Sequence, residues 1–250
     1  MQEIVGRDKT RRSWFPTLLT HNKLHIKKIK IHHEGTSILV MLAIMLVGVN
    51  VPTWLFMPPA SCLAPLVTAV SVVVYCFVFN FFRCPARHYR GDRDGMVISS
   101  VDGKVVAIEE VEENEYLGHS AVMVSVFMSP LNVHANWFPV QGEVEYVKHH
   151  HGRFLSAYLP KASTENERCT IGIRAEGGRR ITVRQIAGAM ARRIVTYARK
   201  GTASEIDDHL GFIKFGSRVD IYLPPDSEIL VKIGDKTRGD VTPIARLISK

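Results

Sequence analysis

A chain of 250 residues with a formal charge of +8 and a sequence pI near 9.4 can build one or two domains, and its charge favours an anionic partner, nucleic acid or a phospholipid surface. It contains no repeat, no low-complexity tract and no basic stretch interleaved with aromatics, which argues against nucleic acid. The four cysteines, Cys62, Cys76, Cys84 and Cys169, form no C-x-x-C pair, which suits a reducing compartment and offers no metal-binding motif.

Residues 1–37 hold eight Lys or Arg against three acids, a local net of +5. Two uncharged runs follow, Ile38 to Met57 and Cys62 to Phe82, of twenty and twenty-one residues. Each is long enough to cross about 30 Å of hydrocarbon as a helix. Pro58-Pro59-Ala60-Ser61 supplies the turn between them, and Arg83, Arg87 and Arg90 follow the second run. Basic residues outside both ends of an apolar hairpin place both ends in the cytoplasm. The expected organisation is thus a basic leader and membrane-anchoring helical hairpin over 1–90 and a cytosolic catalytic domain over 91–250. The competing possibility is a pair of buried helices in a soluble core, with Pro52, Pro65 and Asn80 as irregularities.

From Met96 onward the pattern predicts short strands over Met96–Val101, Lys104–Val111, Ala121–Met128, Glu143–Lys148, Cys169–Arg174, Phe212–Leu223, Glu228–Ile233 and Val241–Ile248, separated by turn residues such as Asp102-Gly103 and Gly177-Gly178. One segment reads differently. Thr182 and Gln185 form a capping box, and Val183, Ile186, Ala187, Met190, Ile194, Tyr197 and Ala198 share a helical face that ends at Gly201, which predicts one amphipathic helix with Arg184, Arg192, Arg193 and Arg199 on its wet side. Lys232 to Val241 and Val101 to Val106 resemble the hairpin and opening strand of biotinyl and lipoyl carrier domains, which implies a barrel-sandwich fold. The expected class is α+β: a β-rich, barrel-sandwich-like domain with one amphipathic helix, preceded by the hydrophobic hairpin.

The stretch IKFGSRVDIYLP, Ile213 to Pro224, breaks a strand pattern with Gly216-Ser217. Glycine inside a strand marks a bulge or a close approach of backbone. A serine hydroxyl can attack the carbonyl of its own preceding peptide when the backbone is bent there. The amide becomes an ester, loss of the Cα proton expels the upstream chain as a carboxylate, and hydrolysis leaves a pyruvoyl ketone. Taken alone, Gly-Ser is equally a β-bulge with an exposed serine.

The context is richer. Phe81-Phe82-Arg83, Val101-Asp102-Gly103, Phe127-Met128-Ser129-Pro130-Leu131-Asn132-Val133-His134, Glu165-Asn166-Glu167-Arg168, Arg184-Gln185-Ile186-Ala187-Gly188 and Phe215-Gly216-Ser217-Arg218 occur in this order. In that order and spacing they resemble the phosphatidylserine decarboxylase family, in its short prokaryotic type. The resemblance implies a self-cleaving membrane enzyme that makes phosphatidylethanolamine from phosphatidylserine with a pyruvoyl cofactor. Gly216–Ser217 would be the scissile bond and Ser217 the pyruvoyl precursor, dividing the chain into a β subunit, 1–216, and an α subunit, 217–250. Asp102 and His134 match the family's acid and histidine. Longer members carry a second histidine where this chain has Trp137, so His134 serves alone or His119 assists. Cys84 stands where Asp is common.

A histidine titrating near neutrality suits both proton removal from Ser217 and proton delivery to carbon, and a carboxylate can orient it. On their own, Asp102-Gly103 is also a good type I′ hairpin turn, and His134 a satisfied core histidine. Arg218 and Arg168 are candidates for holding the lipid phosphate, from charge and proximity in sequence. His149-His150-His151 reads as a solvated loop with no metal, because the middle ring of a strand points away from its neighbours. The expected partners are an anionic phospholipid, the membrane and the two fragments of one precursor, with a homo-oligomer possible. Two rivals remain, an uncut membrane adaptor built on a barrel-sandwich domain and a pyruvoyl decarboxylase acting on a soluble amino acid; the hairpin and its flanking arginines disfavour both.

Overall fold

The structure, a computed structural model, describes residues 29–58, 61–153, 155–158, 162–188, 193–214 and 216–248. The basic leader up to residue 28 and residues 189–192 of the expected amphipathic helix lie outside them. In chain order the elements are β1 (Ile29–Ile31), α1 (His33–Phe56), α2 (Leu63–Phe81), β2 (Arg83–Pro85), β3 (Met96–Ile98), β4 (Gly103–Glu113), β5 (His119–Met128), β6 (Ala135–Trp137) and β7 (Gly142–His150). Then come α3 (Ala162–Glu165), β8 (Arg168–Ala175), β9 (Arg180–Ala187), β10 (Ile194–Thr196), β11 (Ala203–Ser204), β12 (His209–Ile213), β13 (Ser217–Leu223), β14 (Glu228–Ile229), β15 (Lys236–Thr237) and β16 (Pro243–Arg246).

The two uncharged runs are the helices α1 and α2, packed as a hairpin. Only 6% of the apolar stretch of either helix is buried, so they are not the core of a soluble domain. Met41, Ile44, Leu55, Phe56, Leu66 and Val73 all face outward, an apolar surface that water would not tolerate at this size. Polar side chains bridge the two helices at their seam, where Asn50 Nδ2 donates to Ser71 Oγ at 2.9 Å and Thr68 Oγ1 donates to Asn50 Oδ1 at 2.8 Å. In hydrocarbon such groups must satisfy one another. At the base, β1 pairs antiparallel with β2. Phe81, Phe82 and Cys84 there join Val133, Ala135, Trp137 and Phe212 in one hydrophobic cluster, so the hairpin is rooted in the β domain.

The β domain is built on an eight-stranded sheet in the order β11-β7-β8-β9-β13-β5-β4-β15, curled into a half-barrel. Two three-stranded sheets, β10-β12-β6 and β14-β16-β3, complete it. Val124, Val126, Ile171, Val183, Val219 and Ile221 fill the core from the inner faces of the long sheet. The carrier-like pairing is present, since Lys236 and Thr237 of β15 lie opposite Lys104 and Gly103 of β4. A Cβ at Gly103 would come within 2.2 Å of the Phe127 carbonyl oxygen, which explains that glycine by close approach. Asp102-Gly103 is not a hairpin turn, because β3 pairs with β16 while β4 pairs with β5 and β15.

One expected element is corrected. Thr182 to Ala187 belongs to strand β9, hydrogen-bonded to β8 on one side and β13 on the other, and Ile194 to Thr196 is strand β10. A strand buried on both faces carries apolar side chains at nearly every position, so some fall at helical spacing by accident. Arg184 was read as the wet side of a helix; it is buried on the outer face of the sheet, paired with Glu113 at 3.1 Å and Glu115 at 3.3 Å and donating to the Tyr222 hydroxyl at 2.7 Å. The capping-box signal has no helix to cap.

Candidate active site

The break in the Ile213 to Pro224 stretch is a corner at which the chain changes sheets. β12 ends at Ile213 in the three-stranded sheet, and β13 begins at Ser217 in the centre of the long one. Gly216 takes φ +63°, the left-handed region open to glycine and costing other residues about 1–2 kcal/mol. Ser217 then enters the ladder opposite Met128 on β5 and opposite Ala187 on β9. Its side chain is fully buried, and its hydroxyl donates to Met128 Sδ at 3.1 Å, a weak acceptor.

The face that Ser217 presents follows from register. Residues directly opposite in an antiparallel pair share a face, so Ser217, Val219, Gln185 and Ala187 point the same way. Gln185 Nε2 donates to Asn136 Oδ1 at 2.7 Å, and Asn136 Nδ2 donates to the His134 carbonyl at 3.1 Å. Ser217 therefore looks toward the covering sheet that carries His134 at its entrance.

His134 is fully buried, with its ring 4.2 Å from that of Phe81 at the foot of α2. Ser129-Pro130-Leu131-Asn132 forms the turn that delivers it, closed by Ser129 N–H and hydroxyl donations to Asn132 Oδ1 at 2.9 and 2.7 Å. His134 Nε2 lies 3.1 Å from the Ser129 carbonyl. A carbonyl can only accept, so Nε2 carries the proton and Nδ1, which has no hydrogen-bond partner among the described residues, is the basic nitrogen. Burial lowers the imidazole to about 4, against the opposing pull of the Ser129 carbonyl, and the ring is neutral at pH 7.

Asp102 does not hydrogen-bond to His134, although its charge favours the protonated imidazole while Arg83 opposes it. Both carboxylate oxygens accept from the Arg87 guanidinium, Oδ2 at 2.9 Å, and Oδ1 also accepts from the Gly239 N–H at 2.9 Å. Arg87 lies over the Trp137 ring at 5.2 Å, and Gly239 packs against the same indole. Trp137 thus braces the clamp on Asp102. Arg87 was missed as a site residue because its partners are 15 and 152 positions away. Arg87→Gln on an uncut background should lower stability by about 3–5 kcal/mol by leaving a buried carboxylate uncompensated, read as a fall in Tm.

The remaining candidates lie elsewhere. Arg218 and Arg168 both stand opposite Ile186 in the ladders, on the face away from the Ser217 side chain. Arg218 is bound to Asp220, Nε to Oδ1 at 2.6 Å, and to Ser163, on the wall of an outer cleft of about 430 Å³. Arg168 donates to the Thr164 carbonyl at 2.6 Å. His119 begins β5 whereas Met128 ends it, nine residues or about 30 Å away, too far to assist Ser217. In the histidine run, His150 pairs with Glu115 and His149 with Glu167 at 3.2 Å, carboxylate partners invisible in the local sequence.

The phosphatidylserine decarboxylase profile matches residues 74–245. The chain is 51% identical over 224 residues to the phosphatidylserine decarboxylase proenzyme of Phocaeicola vulgatus, covering 89% of this chain and 97% of that protein. The chain belongs to the phosphatidylserine decarboxylase family. The family's proenzyme from Bacteroides fragilis is 53% identical over the same length, with the same coverage of each chain. That of Cytophaga hutchinsonii is 42% identical over 219 residues, covering 88% of this chain and 99% of its own.

Proposed function

We propose that this protein cuts itself between Gly216 and Ser217 and then decarboxylates phosphatidylserine to phosphatidylethanolamine at a membrane surface. Family membership over about nine-tenths of the chain carries this reading. The corner supports it chemically. Neutral His134 takes the hydroxyl proton, Ser217 Oγ adds to the Gly216 carbonyl carbon, and the peptide nitrogen leaves with a proton, so that amide becomes ester. Loss of the Ser217 Cα proton breaks the Cβ–O bond and frees Gly216 as a carboxylate; water then replaces the nitrogen, which departs as ammonia.

The residues present fit a pyruvoyl group at 217: the position is buried, its hydroxyl is held among the described residues only by a thioether, and its peptide is already bent. Such a group supplies a carbonyl that accepts the electron pair left when carbon dioxide departs. His134, with Nδ1 unpartnered among the described residues, is the group this reading assigns to carry a proton to carbon. Asp102, fixed by Arg87, biases the imidazole toward accepting that proton. For the phosphate of the lipid, Arg83 at the hairpin exit is a cation on the His134 side, whereas Arg218 and Arg168 point to the opposite face.

The Phe81 ring, 4.2 Å from that of His134, supports a reaction at the foot of the hairpin, where a headgroup would meet protein while its tails stay in lipid. The positive-inside rule assigns the β domain to the cytoplasmic side of the cell membrane. After the cut, β13 remains hydrogen-bonded between β5 and β9, so the α and β subunits stay interlocked. Intact-mass analysis of the purified protein tests the reading, together with carbon dioxide release from phosphatidylserine vesicles. A 34-residue fragment with a ketone-reactive N-terminus is expected, and an active, uncut chain would reject it.

A further inference from the structure

Gly188 follows β9 directly and faces Gly216 across the ladder that pairs Ala187 with Ser217. The two glycines answer different demands. Gly216 needs its left-handed φ of +63°, and the space around its missing Cβ is open. Gly188 has no such dihedral, yet a Cβ there would stand 2.3 Å from the Gly216 carbonyl oxygen and 3.1 Å from its carbon. The nearest atoms it would strike are backbone, next to the Ser217–Ala187 pair at the end of the β9–β13 ladder, and cannot swing aside as the tip of a side chain can.

We propose that Gly188 is a positioning residue for self-cleavage, its bare Cα forming the seat on which the scissile carbonyl rests. This deepens the cleavage reading above and rests on it. As Ser217 Oγ adds, the Gly216 carbon becomes tetrahedral and its oxygen takes up negative charge and moves out of the peptide plane. A seat without a side chain lets the oxygen lie against β9, which turns the carbon toward Ser217 and leaves room for that movement. A methyl at 188 would displace the oxygen by about 1 Å, an error of a size that costs on the order of 100-fold in rate.

Once the bond is cut, Gly216 ends in a free carboxylate and the seat has no further task, so the residue acts on maturation and not on turnover. The test is a pulse–chase of the full-length chain in membranes, comparing parent, Gly188→Ala and Gly211→Ala. Gly211 is the control, because a Cβ there would come 2.2 Å from the Val195 oxygen and 2.8 Å from Gln185 Nε2, a crowding at least as tight that does not touch the bond to be cut. Expected is cleavage about 100-fold slower in Gly188→Ala, near-parent cleavage in Gly211→Ala, and parent kcat and KM per ketone in those Gly188→Ala molecules that mature. Parent-rate cleavage of Gly188→Ala would overturn the proposal. So would equal slowing or uncut loss of both variants. The double variant Ala157→Gly/Gly188→Ala guards against a simple packing clash, since Ala157 Cβ would lie 3.2 Å from the new methyl. Continued slow cleavage in it supports the seat, and restored cleavage would overturn it. A parent chain that is never cut would instead reject the cleavage-site reading itself.

Discussion

Ser217→Ala should leave a single 28.1 kDa chain with no decarboxylase activity. The methyl keeps the buried volume of the side chain and gives up one hydrogen bond to Met128 Sδ, worth no more than about 1 kcal/mol, so the variant folds and its Tm stays close to that of the parent proenzyme. What it loses is the hydroxyl that the proposed cleavage sends to the bent Gly216 peptide. The rate loss is effectively complete, because no neighbouring hydroxyl is in register to replace it: β13 continues with Arg218 and Val219. Denaturing gels and intact mass read the result within one preparation. Two fragments of normal size from this variant would move the cut away from residue 217.

His134→Ala should slow maturation by roughly 10² to 10⁴-fold, the usual contribution of a positioned general base, and abolish or similarly depress turnover in whatever fraction matures. The parent protein provides an independent check through pH. The imidazole falls from 6.5 to about 4 on folding. Between those values the unfolded chain binds a proton that the native chain does not, so stability rises with pH across this window. It is complete above about 6.5 and is lost as pH falls toward about 4, by about 3 kcal/mol for this one residue. The maturation rate should share the lower limit, flat near neutrality and falling as the ring protonates near pH 4. Acid melts of Ser217→Ala and of Ser217→Ala/His134→Gln separate the two effects. If both proteins lose stability identically between pH 6.5 and 4, His134 is not the buried neutral base described here.

The hairpin was legible because twenty-odd uncharged residues in succession need no partner to be interpreted, and α1 and α2 match the two runs closely. Most strands were legible for the related reason that alternation and turn residues are local. The helix expected from Thr182 onward failed on a non-local fact: Arg184 looked solvated until Glu113 and Glu115, about seventy positions earlier, came to neutralise it beneath the sheet. Arg218 and Arg168 looked like phosphate ligands by proximity to Ser217 and the acidic motif, but a strand sends neighbours to opposite faces, and register sends these two away from the hydroxyl.

Chemistry at the corner divides the same way. Gly216-Ser217, Asp102 and His134 were picked out through their order among the motifs that resemble the family, since taken singly each also reads as a bulge, a turn or a core histidine. Only the folded chain showed that Asp102 is held by Arg87 and Gly239 over the face of Trp137, that Phe81 closes His134 at the membrane end, and that His119 is about 30 Å out of reach. Composition and pattern determine which segments enter lipid and which groups can react, since both depend on a residue's own side chain. The distances, tautomer and seating that let those groups react depend on strand register and on contacts across more than a hundred residues, and these arise only when the sheets close around the corner.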